Sequence, residues 1–313
     1  MSSEQSDQAE QSIVSSDTML ASEHFQKKTP IRHVLDRPDS YLGTCLAAMF
    51  LIHTTNKSNI EITNVELVEA FCTIFNEIRN NVFDCFVRPL DSPDTLKRLT
   101  KNVVVEINQE EGYIMFRNDG DSVPVVMHTE HNSWIPTMVF GQLLTGSNYN
   151  DDEKRHSGGR NGYGAKLTNI YSTMFQVYLC DGTHTFEQTW ESNMSITRDP
   201  IIKKKKQLPF TQVKFYPDVA RFGLTHIDNA HVGYFTRRVY DLAGMPPMGQ
   251  KINVSLNDTP IKIKSFDKYC QMMLSSMIGY TDVSTDTDVS TDVSTDVSTD
   301  VSTNVSVSFP KNI

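Results

Sequence analysis

The sequence predicts an α+β protein organised around a glycine-rich loop. Two amphipathic helices are expected at 65–87 and 226–243, because apolar residues recur there at three- and four-residue spacing. Alternating segments predict strands, and 103–107 with 113–117 should form a hairpin across a polar turn. The loop at 157–166 contains four glycines and leads into a further helical pattern. Further strands are predicted at 175–179, 185–190 and 211–215, with a second hairpin at 252–256 and 261–263.

The composition predicts an intracellular globular protein without a membrane span. Its 313 residues, 38% of them apolar, are enough for a packed core. No apolar run approaches the roughly 20 residues that a spanning helix needs, and the N-terminus lacks the features of a secretion signal. Five scattered cysteines predict neither disulfides nor a zinc site. The net charge of −9 argues against a DNA-binding module, so any nucleic acid would bind elsewhere or at a local patch.

Composition also divides the chain into four segments. Residues 1–24 are polar and are expected to be a disordered leader. Residues 25–43 form an arm in which Thr29-Pro30 can begin a short helix at 31–35. Residues 44–275 form the globular domain, and 276–313 are a low-complexity tail dominated by a repeat of Thr, Asp, Val and Ser, which is expected to be unstructured.

The glycine-rich loop suits a polyphosphate. Dense glycines allow consecutive backbone N–H groups to point into one concave surface, and a helix that begins at the loop's end adds its positive dipole end. Lys166 adds a full positive charge beside that surface. Glycines also form flexible turns that bind nothing, so the loop alone leaves that alternative open.

Three polar residues on the first long helix have the spacing of a catalytic stripe. Glu77, Asn81 and Asp84 lie at i, i+4 and i+7, which places them on one face. A carboxylate at the edge of a pocket can polarise a water for attack on phosphorus, and an amide oxygen one turn later can hold a divalent cation. The alternative is an ordinary solvated face, where most helical carboxylates lie.

Three further segments have functional interpretations, and for two of them a structural alternative stays open. Asn118-Asp119-Gly120 can present an acceptor to the exocyclic amine of adenine, or it can be an ordinary turn. The polar segment that follows Trp134, through Tyr149, is typical of a lid over a bound nucleotide. The run Lys203–Lys206 indicates a solvated loop, or else a nuclear-targeting or DNA-facing patch.

Four stretches together resemble a known family. They are KKTPIRHVLDRPDSYLG, FNEIRNNVFD, FRNDGDSVPV and VFGQLLTGSNYNDDEKRHSGGRNGYGAKLTNIYST, in that order along the chain. They are similar to the N-terminal ATPase region of eukaryotic-type DNA topoisomerase II, and the likeness extends over roughly 25–275. The resemblance implies the GHKL (Bergerat) ATPase fold, in which a mixed β-sheet is backed by helices on one face and ATP and Mg²⁺ bind between them.

The resemblance also implies residue roles. Glu77 matches the general base that activates water, Asn81 the Mg²⁺ ligand, and Asn118 the residue at adenine. Lid positions that touch the ribose and phosphates correspond to Gly146, Ser147 and Asn148. The phosphate loop of the family corresponds to Gly159, Arg160, Asn161, Gly162, Tyr163, Gly164, Ala165 and Lys166.

For the whole protein, the resemblance implies an ATP-hydrolysing isomerase that passes one DNA duplex through another, of which this chain holds the ATPase region. Residues 26–43 resemble the arm that crosses to the partner subunit of a homodimer when ATP closes it. DNA is then a partner in the full-length enzyme, and the nucleus is the expected location.

Three departures from the family pattern modify these expectations. Ser122 replaces the second glycine of the adenine motif, and its Cβ is expected to weaken binding by crowding the base. Cys85 replaces a frequent asparagine. The family's hydrolysis also uses a lysine from a Gln-Thr-Lys loop, and neither that loop nor the DNA-cleavage core occurs before Ile313. We therefore expect these residues alone to bind ATP with weak turnover. The alternative is a truncated, non-catalytic copy that regulates the full-length enzyme; a chaperone or mismatch-repair ATPase of the same fold is disfavoured.

Overall fold

The structure is a computed structural model that describes residues 27–56, 59–91, 98–145, 162–247 and 249–284. The predicted leader, residues 146–161 of the predicted lid and glycine-rich loop, and the predicted tail beyond 284 lie outside the described residues. The helices are α1 (Pro30–Asp36), α2 (Glu69–Asp91), α3 (Ile135–Gly141), α4 (Gly164–Ile170), α5 (Asn229–Gly244) and α6 (Phe266–Ser284). The strands are β1 (Ala47–Asn56), β2 (Asn59–Val68), β3 (Asn102–Asn108), β4 (Tyr113–Asp119), β5 (Met127–His128), β6 (Ser133–Trp134), β7 (Ser172–Cys180), β8 (His184–Glu191), β9 (Ile196–Thr197), β10 (Ile201–Lys204), β11 (Phe210–Pro217), β12 (Asn253–Leu256) and β13 (Thr259–Ile261).

A mixed sheet forms the centre of the fold, as predicted. Within the described residues its strands run in the order β10-β8-β7-β11-β4-β3-β12-β13, and β9 pairs with β8. Strand β12 lies parallel to β3, whereas the other pairs are antiparallel. The predicted hairpins β3–β4 and β12–β13 are both confirmed. In the second hairpin, Asn257 and Asp258 have φ values of 46° and 61°, which suit a tight two-residue turn.

The hydrophobic core lies between this sheet and the helices on one of its faces. Alternate residues of the central strands point toward the helices and are buried, among them Val105, Phe116 and Phe215. Phe75 of α2 stacks on Phe235 of α5 with ring centroids 4.1 Å apart, and it also packs against Phe116. The predicted apolar seam of α2 therefore holds this helix between the sheet and α5, and its polar stripe lies beside that contact.

The predicted start of the first long helix was wrong. Residues 65–68 end strand β2, which pairs along its whole length with β1, and α2 begins only at Glu69. Val65 and Val68 fit a helical spacing with Phe71, but β-branched residues also favour strands, and pairing with β1 decides the outcome. The helix also runs through the predicted stop at Pro89 to Asp91.

Three smaller differences concern element boundaries. Helix α5 begins at Asn229, because Asp228 caps it by accepting a hydrogen bond from the His231 amide. Lys203 and Lys204 lie on edge strand β10, not in a loop, and their exposed charges protect that edge from further pairing. The expected boundary between residues 275 and 276 falls inside α6, which continues to Ser284.

The described part of the predicted arm, residues 27–43, folds onto its own chain. Its helix α1 includes the predicted residues 31–35 and begins where Thr29 accepts a hydrogen bond from the Arg32 amide at 3.2 Å. Val34 and Leu42 are buried, and the Tyr171 hydroxyl donates to the Val34 carbonyl at 2.8 Å. These contacts place Tyr41 at the mouth of the main cavity described next.

Candidate functional site

One cavity of about 750 Å³ brings the predicted site residues together. Helix α2 contributes one wall, α4 with the end of the glycine-rich loop a second, and strands β4 and β11 the floor. The predicted residues that line it are Glu77, Asn81, Asp84, Asn118, Gly162, Tyr163, Gly164, Ala165 and Lys166. The predicted residues Gly146, Ser147, Asn148, Gly159, Arg160 and Asn161 lie outside the described residues.

Glu77 lies directly against the glycine-rich loop. A Cβ placed on Gly164 would overlap the Glu77 carboxylate oxygen and lie 3.2 Å from its Cδ, so a larger residue at 164 would displace this carboxylate. The Glu77 side chain is half-buried at the cavity wall. Burial raises the pKa of Glu77, and the charge of Asp84, two turns along the same helix, raises it further. A carboxylate with a raised pKa at a cavity wall is suited to accept a proton.

Lys166 is buried between two backbone carbonyl groups. Only 2% of its surface is exposed, and its ammonium group donates hydrogen bonds to the carbonyl oxygens of Thr145 and Gly162. Burial lowers the pKa of Lys166 to about 8. Within the described part of the chain, the hydrogen-bond partners of this ammonium group are those two carbonyl oxygens.

The two polar residues of the Asn-Asp-Gly motif face different ways. Asp119 accepts hydrogen bonds from the Lys101 and Asn102 amides at 2.7 and 2.8 Å and lies 3.5 Å from Arg98. Burial raises its pKa, but these hydrogen bonds outweigh that effect and hold the pKa below its usual value. Asn118 is buried, lines the cavity and donates from Nδ2 to the Asp119 carbonyl at 3.3 Å. The motif therefore forms a turn and also presents one side chain to the cavity.

Comparison with known proteins identifies the relatives of this arrangement. DNA topoisomerase 2 of Candida glabrata is 40% identical over 268 residues, which are 84% of this chain and 18% of that protein. DNA topoisomerase 2 of Saccharomyces cerevisiae is 40% identical over 269 residues, with the same shares. The crystal structure of the ATPase region of S. cerevisiae topoisomerase II matches with a TM-score of 0.75 at 41% identity, over 82% of this chain and 66% of that one. The chain belongs to the eukaryotic DNA topoisomerase 2 family, in its ATPase region.

A second topoisomerase II structure extends the match to another lineage. The ATPase and transducer domains of the Balamuthia mandrillaris enzyme match with a TM-score of 0.72 at 35% identity, over 80% of this chain and 63% of that one. No protein-family model matches the chain. The chain spans about a fifth of the length of the topoisomerase relatives that it matches.

Ser122, the departure from the glycine pattern of this topoisomerase family, has an unstrained place in the structure. Its φ is not positive, whereas Gly120 has a φ of +102° and lies so close to Thr100 that a Cβ would come within 2.6 Å of its Oγ1. The motif thus needs glycine at 120 but not at 122. The Ser122 hydroxyl lies 2.8 Å from that of Thr211 on β11, and both residues line the cavity.

Several residues that line the cavity of this topoisomerase region were missed by sequence reasoning. Thr211 pairs across the sheet with Asn118, so the register of β4 and β11 brings it to the site. Tyr41 comes from the arm and packs edge-on against Tyr163 with ring centroids 6.3 Å apart. Thr211 lies at an alternating position of a predicted strand, which was a usable signal, whereas nothing local marks Tyr41 as a cavity residue.

The described residues contain no preformed metal cage and no helix suited to cross a bilayer. No three His, Cys, Asp or Glu side chains are grouped closely enough within that part of the chain to hold an ion. The helices of the same part are too short or too polar to span a membrane.

Proposed function

We propose that this chain binds ATP together with Mg²⁺ as the ATPase region of a type II DNA topoisomerase, and that these residues alone hydrolyse ATP only slowly. The single observation that supports this most is the Glu77 carboxylate lying against Gly164 in a cavity that also contains Asn118 and Lys166. A general base, a phosphate loop and a base-recognition residue thereby share one space. The family membership makes ATP the expected nucleotide.

The cavity fits a nucleoside triphosphate in size and in chemistry. Its volume of about 750 Å³ lies within the range of small-molecule sites, roughly 300–1,000 Å³. Lys166 supplies positive charge for the phosphates, and the negative charge of the phosphates would favour the ammonium form of the lysine. Asn118 supplies a buried amide, and the lining also includes Ile78, Phe116 and Val213, whose apolar surfaces suit a flat base.

Glu77 is the proposed general base. In its ionised form it would hold a water through a hydrogen bond and take its proton as the oxygen attacks phosphorus. The raised pKa of Glu77 makes it a stronger base for this step. Gly164 has no side chain, so the carboxylate and the phosphate loop can approach closely enough to share that water.

Asn81 is the proposed protein ligand of Mg²⁺. It lies one helical turn beyond Glu77 and lines the same cavity. Mg²⁺ usually binds through one or two protein oxygens together with phosphates and waters, and the Asn81 amide oxygen can be one of these protein oxygens. When bound, the ion would neutralise charge on the phosphate oxygens. Asn81 would orient the triphosphate by fixing the position of that charge.

The wider roles proposed for this chain follow from its family. In the complete protein, ATP binding would close a homodimer through the arm, residues 26–43, and DNA would be the partner that the dimer captures. Nuclear localisation is proposed on the same basis. The described part of the arm already contacts the nucleotide cavity through Tyr41, which supports a link between the two.

Calorimetric titration tests the nucleotide site. A non-hydrolysable ATP analogue with Mg²⁺ should bind the wild-type chain, and Lys166→Met should weaken binding about 10- to 100-fold, because a charged hydrogen bond contributes about 1.5–3 kcal/mol. Glu77→Gln should bind the analogue but release no phosphate from ATP. Lys264→Met, which removes an exposed lysine away from the cavity, is the matched control and should bind like the wild type. Equal affinity of Lys166→Met and wild type would refute the proposed phosphate contact.

A further inference from the structure

The end of the cavity at Asn118 carries a pair of hydroxyl groups. Thr211 lies directly opposite Asn118 in the β4–β11 ladder, and Ser122 approaches from the turn that follows β4. The Ser122 and Thr211 oxygens are 2.8 Å apart, so one hydroxyl donates to the other. Both side chains are half-buried and line the cavity. This pair belongs to neither the proposed phosphate contacts nor the metal contact.

We propose that Ser122 is a specificity-determining residue: its hydroxyl, held in place by Thr211, hydrogen-bonds the base of the nucleotide and favours adenine over guanine. This inference rests on the proposed function, since it assigns the base to the Asn118 end of the cavity. It adds a recognition residue at a position where the family pattern has a glycine, which has no side chain to offer.

The donor and acceptor groups at this end match one edge of adenine. Asn118 uses Nδ2 to donate to the Asp119 carbonyl, which leaves Oδ1 to accept from the exocyclic amine of adenine. In the hydroxyl pair, one O–H is used by the other oxygen, and the second O–H remains to be donated. Adenine presents an amine donor beside a ring-nitrogen acceptor, so both contacts can be made together.

Guanine presents the opposite pattern at the same edge. Its carbonyl oxygen would face the Asn118 Oδ1, and two acceptors repel each other. Because the Asn118 amide is buried and held by the Asp119 carbonyl, it cannot reverse without losing that bond. A guanine base therefore does not bind within reach of the Ser122 hydroxyl, and only adenine forms the hydrogen bond to Ser122.

Crowding of the base by the Ser122 Cβ, which the sequence pattern predicts, would give the opposite change in ATP affinity when Ser122 is mutated. If the side chain only obstructs the base, then its removal should tighten binding. The structure favours recognition, because the hydroxyl is drawn to Thr211 and the backbone at 122 has no positive φ. The two alternatives thus differ in the sign of the effect of Ser122→Ala and Ser122→Gly.

Titration of non-hydrolysable ATP and GTP analogues into the full chain tests the inference. The Ser122→Ala substitution should lower the affinity for the ATP analogue about fivefold, which is the loss expected for one hydrogen bond. It should leave the affinity for the GTP analogue unchanged, so the preference for ATP over GTP should also fall about fivefold. Thr211→Val, which removes the supporting hydroxyl at constant shape, should lower the preference in the same direction. Thr211→Ser restores a hydroxyl and should behave like the wild type.

The controls separate failure of this inference from failure of the proposed function. Ser275→Ala removes an exposed hydroxyl on α6 and should change neither affinity, and thermal unfolding verifies that each variant is folded. Unchanged or tighter ATP binding by Ser122→Ala would overturn the specificity role while the nucleotide site stands. Absence of nucleotide binding to folded wild-type protein would overturn the proposed function itself.

Discussion

At the scale of single residues, the proposed site depends on two charged side chains, Glu77 and Lys166, and folding disfavours the charged form of each. Burial raises the pKa of Glu77 and lowers that of Lys166 to about 8. Both shifts disfavour the charged form of the side chain, and both charged forms are needed for the proposed chemistry. Function and stability are therefore opposed at these two positions, a conflict that is common at catalytic sites.

Glu77→Gln should stabilise the chain at neutral pH. An acid whose pKa rises on folding binds its proton more tightly in the folded state, so ionised Glu77 costs stability. This cost is absent at pH values below the pKa of Glu77 in the unfolded chain, and it is complete at pH values above the pKa of Glu77 in the folded chain. At about pH 7.5 we expect the Tm of the Glu77→Gln variant to lie above that of the wild type. At about pH 4 the rise should disappear. Differential scanning fluorimetry at both pH values measures it, and an equal rise at both would contradict the assignment.

Binding of a triphosphate should make the protein take up a proton near pH 8. Phosphate oxygens beside Lys166 favour its ammonium form and thus raise its pKa from about 8. Calorimetry in two buffers with different ionisation enthalpies measures the protons taken up. Uptake should be clear at about pH 8 and small at about pH 6, where the lysine is already charged. Lys166→Met should lose this part of the uptake. Buffer-independent heats for the wild type at pH 8 would contradict the prediction.

At the scale of elements, one contact sets the geometry of the site. Helix α2 carries Glu77, and α4 begins at Gly164, where a side chain would overlap the carboxylate. The two helices are also joined by the Thr168 hydroxyl, which donates to the Ile74 carbonyl at 2.9 Å. This spacing holds the end of the glycine-rich loop against the polar stripe of α2, and a side chain at 164 would displace the Glu77 carboxylate.

The cost of Gly164→Ala should depend on Glu77. In the wild type we expect a loss of at most about 1 kcal/mol in unfolding free energy, the low end of overpacking costs, because the new Cβ displaces only the flexible end of the Glu77 side chain. In the Glu77→Ala background the same substitution should be neutral or stabilise by up to about 1 kcal/mol, because alanine favours a helix over glycine. Urea unfolding of the four proteins in this double-mutant cycle gives the coupling energy. Equal costs in both backgrounds would show that the two residues do not touch.

At the scale of the whole molecule, a buried charge network connects the site helix to the last described helix. Asp241 of α5 is 1% exposed and pairs with Arg237 and, at 2.7 Å, with Arg238. Arg79 of α2 lies 3.7 Å away, and the Tyr269 hydroxyl of α6 donates to the same carboxylate. One carboxylate thus compensates three arginines that belong to two different helices.

Asp241→Asn should destabilise the fold strongly. It removes the negative charge among three guanidinium groups, two of which are nearly buried, and loss of one partner of a buried pair costs about 3–5 kcal/mol. Chemical unfolding by urea measures this loss. Asp267→Asn changes an exposed aspartate on α6 and should cost less than about 0.5 kcal/mol. A similar small cost for both variants would mean that solvent, not Asp241, compensates the arginines.

The sequence by itself determined the elements whose signals are local. Apolar spacing placed most of α2 and α5, alternation placed β3, β4, β7, β8 and β11, and a stripe of polar residues on α2 indicated one face of the cavity. Such patterns follow from the periods of a helix and a strand, which depend only on neighbours along the chain. The resemblance of the motifs to topoisomerase II, confirmed by the comparisons, supplied the family.

Only the tertiary structure decided what depends on distant partners. Strand β2 replaces the predicted helical start because β1 pairs with it, and Asp119 turns from the cavity because the amides of residues 101 and 102 bind it. Ser122 meets Thr211 through the register of β11 against β4. In each case the deciding contact comes from a segment outside the local pattern, so the pattern by itself does not specify the outcome.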